Sequence, residues 1–258
     1  MKLLLTSSGI SNKSIHNALV ELLGKPLTEA NALFVPTGVY PFPYGQRYAW
    51  NPIGGEAAPR MCQLGWKSLG ILELSVLPSI DRETWLPSLM EADVLLVWGG
   101  DPLFLSYWMQ ESGLTELLPS LLDKLVYVGV SAGSITVASI FAETYSSARS
   151  CAGKPLTSEE IVFSSDKGEF IMTLLIANGM GLTNFTIIPH FENENHLDAS
   201  LSNAEKWASR LSVPVYAIDD QTALKVTDDS VEVITEGQWK LFTPIIQQTT
   251  NNYKSFGQ

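Results

Sequence analysis

The sequence predicts an α/β fold: a three-layer sandwich with a mostly parallel central sheet, finished by C-terminal antiparallel strands. Three observations predict it. Short leucine-rich or β-branched runs alternate with longer amphipathic stretches over the first half of the chain, the pattern of βαβ units. After residue 211 the alternation gives way to short strand patterns in succession. Between these parts, residues 125–138 read as a strand, a tight Gly-x-Ser-x-Gly turn and a helix start.

Each element follows from its local pattern. Strands are expected at Leu3–Thr6, Ala32–Val35, Ile71–Val76, Val94–Trp98 and Leu125–Val130. Helical spacing of apolar residues marks Ser14–Leu23, Ala57–Lys67, Arg82–Glu91 and Leu103–Leu122 between them. Right-handed crossovers would make the sheet parallel. Phe185–Ile188 is the next strand, and a helix is expected near Asn203–Leu211. Val215–Ile218, Ala223–Val226, Val231–Thr235 and Trp239–Phe242 then read as a meander, with Glu236-Gly237 as a hairpin turn. No linker, repeat or low-complexity tract divides the chain, so residues 1–258 read as one domain.

Composition narrows the function classes. No apolar run approaches the ~18–20 residues of a membrane span. Met1–Ser8 is too short an apolar stretch for a signal peptide and reads as a first strand. A formal net charge of −11, with 16 basic residues that form no run, argues against nucleic acid as a partner. The two cysteines, Cys62 and Cys151, make neither a disulfide framework nor a CxxC pair, so a reducing cytoplasm is the expected setting. No metal and no cofactor are expected.

The chemistry centres on Ser131. Small residues flank it because helix and strand must approach closely at such a turn, and the hydroxyl is left at the top of the sheet. A serine hydroxyl needs an adjacent base. The chain has three histidines. His16 lies inside the first helix pattern and reads as a surface residue. His196 follows a polar stretch and reads as a solvated residue at a helix start. His190 ends an apolar strand after Pro189, where a base would be presented beside the serine, although a loop histidine would look the same. The oxyanion of an acyl-transfer intermediate needs two N–H donors. Ala132 N–H follows the nucleophile, and Gly100 N–H belongs to the Gly99-Gly100 turn after the preceding strand. That turn also reads as a plain helix start, with Asp101 as N-cap and Pro102 at the first helical position.

Trp98-Gly-Gly-Asp-Pro-Leu-Phe-Leu, Val128-Gly-Val-Ser-Ala-Gly-Ser and Gly179-Met-Gly-Leu-Thr-Asn-Phe-Thr-Ile-Ile-Pro-His-Phe, in that order, resemble the peptidase E family. These are serine peptidases that include aspartyl dipeptidases and are related to cyanophycinases. The resemblance covers roughly Met1 to Phe242. It implies a class I glutamine-amidotransferase-like, flavodoxin-like fold and a small peptide as substrate. It also implies Ser131 as nucleophile, His190 as base, and Gly100 with Ala132 as oxyanion donors. A serine at the elbow, where glutamine amidotransferases carry cysteine, argues against ammonia transfer from glutamine.

Two departures accompany the resemblance. The family's acid that orients the histidine is missing from its usual window, which Ser146 to Arg149 fill here. Glu143 is the nearest acid and the first candidate. Asp220 is the second, followed by Glu159, Glu160 or Asp166 in an inserted segment near residues 144–175; the role could also be vacant, as in a non-catalytic binding protein. The second departure concerns specificity. The segment Glu192 to Lys206 lacks the arginine by which family members select an N-terminal aspartate, and Lys206 is a poor substitute for bidentate recognition. Asp101, Glu192 and Tyr44 are the substrate-binding candidates. Glu192 or Glu194 would hold an α-amino group, and Tyr40–Tyr44, with Tyr48 and Trp50, would form an aromatic wall or a self-packed loop.

Overall fold

The computed structural model describes residues 1–57, 61–147, 151–228 and 230–244. The chain runs β1 (Lys2–Thr6), α1 (Lys13–Leu23), β2 (Asn31–Val35), α2 (Gly45–Gly54), β3 (Ser68–Ile71), α3 (Arg82–Met90), β4 (Val94–Val97), α4 (Pro102–Glu111), α5 (Leu114–Leu121) and β5 (Val126–Val130). It continues through α6 (Ala132–Ile135), β6 (Ile140–Tyr145), β7 (Thr157–Ser165), β8 (Gly168–Asn178), β9 (Thr186–Ile188), α7 (Leu201–Ala208), β10 (Val215–Ile218), β11 (Thr222–Thr227), β12 (Ser230–Thr235) and β13 (Trp239–Phe242).

Seven strands form the central sheet in the order β12-β11-β1-β5-β4-β2-β3. The five from β1 to β3 are mutually parallel, and β11 and β12 add antiparallel at one edge. Both faces of β1, β5, β4 and β2 are covered, so these strands are apolar almost throughout rather than alternating, whereas β3 at the edge is largely exposed. Leu3, Leu5, Leu95, Val97 and Tyr127 pack toward α3, α4 and α5. Leu4, Val94, Leu96, Val126 and Val128 pack toward α1 on the other side. The mostly parallel α/β architecture expected from the sequence is therefore present.

Local chemistry explains where the expected elements shifted. The strand expected at Ile71–Val76 ends at Ile71, because the Glu73 carboxylate caps Ser75 N–H and starts a short 3-10 helix at Leu74–Ser79. The helix expected over Leu103–Leu122 is two helices, broken where Gly113 takes a φ of 74°. Among the described residues of Ala57–Lys67 there is no helix; Gly65 turns the chain with a φ of 86°, and residues 58–60 lie outside the described residues. The helix in this region is α2, in the stretch read as an aromatic loop. Glu236-Gly237 is not a hairpin turn. β12 pairs with β11, whereas β13 pairs with β10 in a separate sheet, so the chain changes sheets there. A Cβ on Gly237 would strike the Asp219 carboxylate, which accepts from Gln238 N–H.

Two smaller sheets stand beside the main one. β9 and β10 are parallel neighbours, with β13 antiparallel on β10. The third sheet, in the order β6-β8-β7, is antiparallel and absent from the sequence-based expectation. It occupies most of the segment read as inserted, apart from residues 148–150, which lie outside the described residues. Buried Ile161, Phe163 and Leu174 join it to the β9–β10 sheet and α7 through a common core. Ile161 and Phe163 alternate with more exposed neighbours, and Asp166-Lys167 closes the β7–β8 hairpin. No helix among the described residues is long and apolar enough to cross a membrane.

Candidate active site

The site lies at the carboxyl ends of strands, where an open parallel sheet leaves a crevice. β5 ends in the Ser131 elbow. Ser131 has a φ of 48° and a ψ of −112°, a strained conformation for a residue with a side chain. The flanking glycines are there for contact. A Cβ on Gly129 would lie 2.7 Å from the Gly133 carbonyl carbon and oxygen, and one on Gly133 would strike the Val97 carbonyl. The turn is also pinned from β1: Ser131 N–H and the Ser134 hydroxyl both donate to Thr6 O, at 3.0 and 2.7 Å. Ser131 N–H is thus engaged by the fold itself. The N–H groups of Gly100 and Ala132 donate to no acceptor among the described residues. Gly100 has a φ of 129°, and a Cβ there would strike Gly38. Its neighbour Gly99 sits beside Ser131, since a Cβ on it would be 3.4 Å from Ser131 Cβ.

The small sheet supplies the partners. β9 and β10 run parallel with Ala217 opposite Ile188, so their outgoing loops emerge side by side. His190 is two residues beyond β9 and Asp220 two beyond β10. His190 Nδ1 lies 2.7 Å from Asp220 Oδ1, and His190 Nε2 lies 3.2 Å from Ser131 Oγ. A carboxylate only accepts, so Nδ1 carries the proton and Nε2 is left as the acceptor for the serine hydroxyl. The hydrogen bond from His190, offset in part by burial, holds the Asp220 carboxyl down at about 2, so it is ionised at neutral pH. Asn193 Nδ2 donates to its other oxygen at 2.7 Å. The adjacent Asp219 acts on the loop instead. Its carboxylate accepts from Gln221 N–H, the Thr222 hydroxyl and Gln238 N–H, and so shapes the backbone that carries Asp220.

Ser7, just past β1, joins the two sheets and was not singled out from the sequence. It is fully buried. Its hydroxyl accepts from His190 N–H at 2.8 Å and donates to Asp220 Oδ1 at 2.9 Å. It therefore holds His190, whose own φ is 57°, and the carboxylate together. The only sequence signal is its position at the end of a central strand.

Several expectations are corrected. Glu143, the first candidate beside His190, lies on β6 with Oε1 on the Thr144 N–H; both ring nitrogens of His190 are already engaged by Asp220 and Ser131. Glu159 pairs with Arg210 at 2.8 Å. Glu192 is not among the described residues that line the cleft, and it accepts the first N–H of α7, from Leu201. Tyr44 enters α2 in the left-handed region with 72% of its surface exposed; Phe42 and Tyr48 line the crevice instead. Asp101 lines the cleft at 1% exposure and caps α4 through Phe104 N–H, while also accepting from the Tyr145 hydroxyl. Lys206 reaches Val162 O on β7. His16 lines a separate groove on α1. His196 is exposed, but its ring stacks on His190 with centroids 4.2 Å apart and planes within 19°. Burial of that face, then the neighbouring His190, pushes the His196 ring below its ordinary value.

An α/β sheet that presents a serine to a histidine, and the histidine to a carboxylate, has the arrangement of a serine hydrolase. The sequence model of peptidase family S51 matches residues 3–234. The chain belongs to peptidase family S51, a family of serine peptidases, and is accordingly a hydrolase. Solved structures are similar in fold. A proposed peptidase E protein of Listeria monocytogenes EGD-e superposes with a TM-score of 0.58 at 17% identity, covering 92% of this chain and 98% of that one. A peptidase from an acI-B1 actinobacterium gives 0.54 at 18% identity, covering 94% of each chain. No curated protein matches significantly.

Proposed function

We propose that the chain hydrolyses small peptides through an acyl-enzyme on Ser131. The observation that carries the reading is one hydrogen-bonded series: Ser131 Oγ to His190 Nε2 at 3.2 Å, and His190 Nδ1 to Asp220 at 2.7 Å. Ser131 Oγ attacks the scissile carbonyl as its proton passes to His190 Nε2. The imidazolium is stabilised by the ionised Asp220, and the oxyanion is met by Gly100 and Ala132 N–H. Collapse breaks the C–N bond while His190 returns the proton to the leaving amine. Water then adds to the ester by the same route and releases Ser131.

The crevice suits a short substrate. Its two lobes have cavity volumes of about 330 and 460 Å³, and both are lined by Ser131 and His190. The decisive test is labelling by a fluorophosphonate, in which Ser131 Oγ displaces fluoride from phosphorus. Wild type should be labelled and Ser131→Ala should not. Equal labelling of the two proteins would exclude Ser131 as the activated nucleophile.

A further inference from the structure

The two lobes that meet at Ser131 differ in chemistry. One is walled by the β6–β8 sheet and presents Glu143, Thr144, Tyr145, His196 and Asp198. The other is apolar, with Val39, Phe42, Tyr48, Pro52 and Trp98 around the nucleophile. Its wall comes from α2. Tyr48, Asn51 and Pro52 are spaced i, i+3 and i+4, so one helical face turns toward Ser131. Trp98 enters from the end of β4, beside the Gly99-Gly100 turn, and is held against Phe34 with ring centroids 6.1 Å apart.

Tyr48 is 47% exposed, on a short helix whose buried residues are Gly45, Ala49 and Pro52. Aromatic surface kept open to water beside a nucleophile marks a binding surface. The described residues that line the lobe contribute neither a lysine nor an arginine, so a carboxylate side chain finds no cation among them.

Resting on the serine-peptidase reading, we infer that this lobe is a subsite for a branched or aromatic apolar side chain of the residue flanking the scissile bond. The substrate class is then a short peptide with an apolar residue at that position, its other side lying in the polar lobe. Val39, Phe42 and Trp98 supply the contact area, and Tyr48 closes the outer edge. Each methylene that the lobe removes from water raises the capture rate about fourfold.

The test needs no known substrate. Ethyl and butyl fluorophosphonates differ by two methylenes, and their rates of capture by Ser131 are compared after normalising each to its hydrolysis in buffer. The butyl compound should react about fifteenfold faster with wild type, and Tyr48→Glu should lower that ratio several-fold. Tyr48 is half exposed, so the fold should tolerate the change. Equal capture of the two compounds by wild type overturns the subsite while leaving the serine-peptidase reading intact. So does a fifteenfold ratio that Tyr48→Glu leaves in place. Failure of both compounds to label Ser131 instead overturns the peptidase reading beneath it. With dipeptides, either Leu-Ala or Ala-Leu should exceed Ala-Ala in kcat/KM by roughly 60-fold, and the order of the pair assigns the lobe to one side of the bond.

Discussion

Asp220→Asn keeps the side-chain volume and removes the charge. The carboxylate now accepts from three donors: His190 Nδ1, the Ser7 hydroxyl and Asn193 Nδ2. An amide has a single acceptor oxygen, so its NH2 group must face either Asn193, which is itself a donor, or His190. If it faces His190, Nδ1 becomes an acceptor and the proton moves to Nε2, where it can no longer receive the Ser131 hydrogen. Loss of the correct tautomer at such a position costs roughly 10³–10⁴ in turnover. The charge also has a stability signature. The Asp220 carboxyl is held at about 2 against an ordinary 3.8, a stabilisation on the order of 2 kcal/mol at most. Its side chain is 31% exposed, and solvent screening reduces this to about 1–2 kcal/mol. A depressed acid stabilises above its unfolded value, so the contribution is complete above pH ~4–5 and is lost as pH falls through ~2. Two assays follow: the rate of fluorophosphonate capture at pH 7, and urea unfolding of wild type and variant between pH 6 and pH 2, where their difference should shrink. Capture within about threefold of wild type by Asp220→Asn, together with a large loss in Glu143→Gln, would refute the reasoning and return the orienting role to Glu143.

Ser7→Ala leaves the His190 amide without its acceptor and Asp220 without one donor, and should slow capture by about 10–100-fold with KI for the probe little changed, as saturation kinetics will report. Gly129→Ala places a methyl 2.7 Å from the Gly133 backbone, and should lower stability by roughly 1–3 kcal/mol or more, read as a fall in Tm.

The parts of the site legible in the sequence were those written in one local stretch. Ser131 and His190 each end an apolar run, one at a glycine turn and one after a proline, and that placement is visible without a fold. The acid was not legible in this way. Which carboxylate meets Nδ1 depends on β9 and β10 being parallel with Ala217 opposite Ile188, a long-range register that no local pattern encodes. Proximity in sequence therefore favoured Glu143 over Asp220. The α2 helix was masked by its own composition: Pro41, Pro43, Gly45, Pro52, Gly54 and Gly55 all read as turn formers. Yet Pro52 is accommodated near the end of the helix, and Gly55 closes it with a φ of 78°. The β6–β8 sheet was missed because β7 keeps its apolar alternation only over Ile161–Phe163, between Thr157-Ser-Glu-Glu and Ser164-Ser165, and because the apolar run of β8 lay in a segment read as an insertion. Its hairpin turn at Asp166-Lys167-Gly168 was the available signal, with Gly168 at a φ of 117°.

The proposed catalytic series is divided between two sheets, and this division decides which contacts are sensitive. His190 and Asp220 belong to neighbouring strands of the small sheet, so their 2.7 Å contact is set by the β9–β10 ladder itself. The proposed nucleophile and oxyanion donors belong to the main sheet, where the Ser131 turn is fastened to β1 through Thr6. The 3.2 Å contact between Ser131 and His190 crosses the seam. Ser7 is anchored in the main sheet and bonded to both residues of the small one, so its hydroxyl ties the seam where the proton must pass. A perturbation at the seam should therefore lengthen the serine–histidine contact while the histidine–aspartate pair persists. A perturbation inside the small sheet should do the reverse. Because proton transfer requires hydrogen-bond reach, a shift of about 1 Å at the seam is enough to disable a triad whose three residues are all still in place.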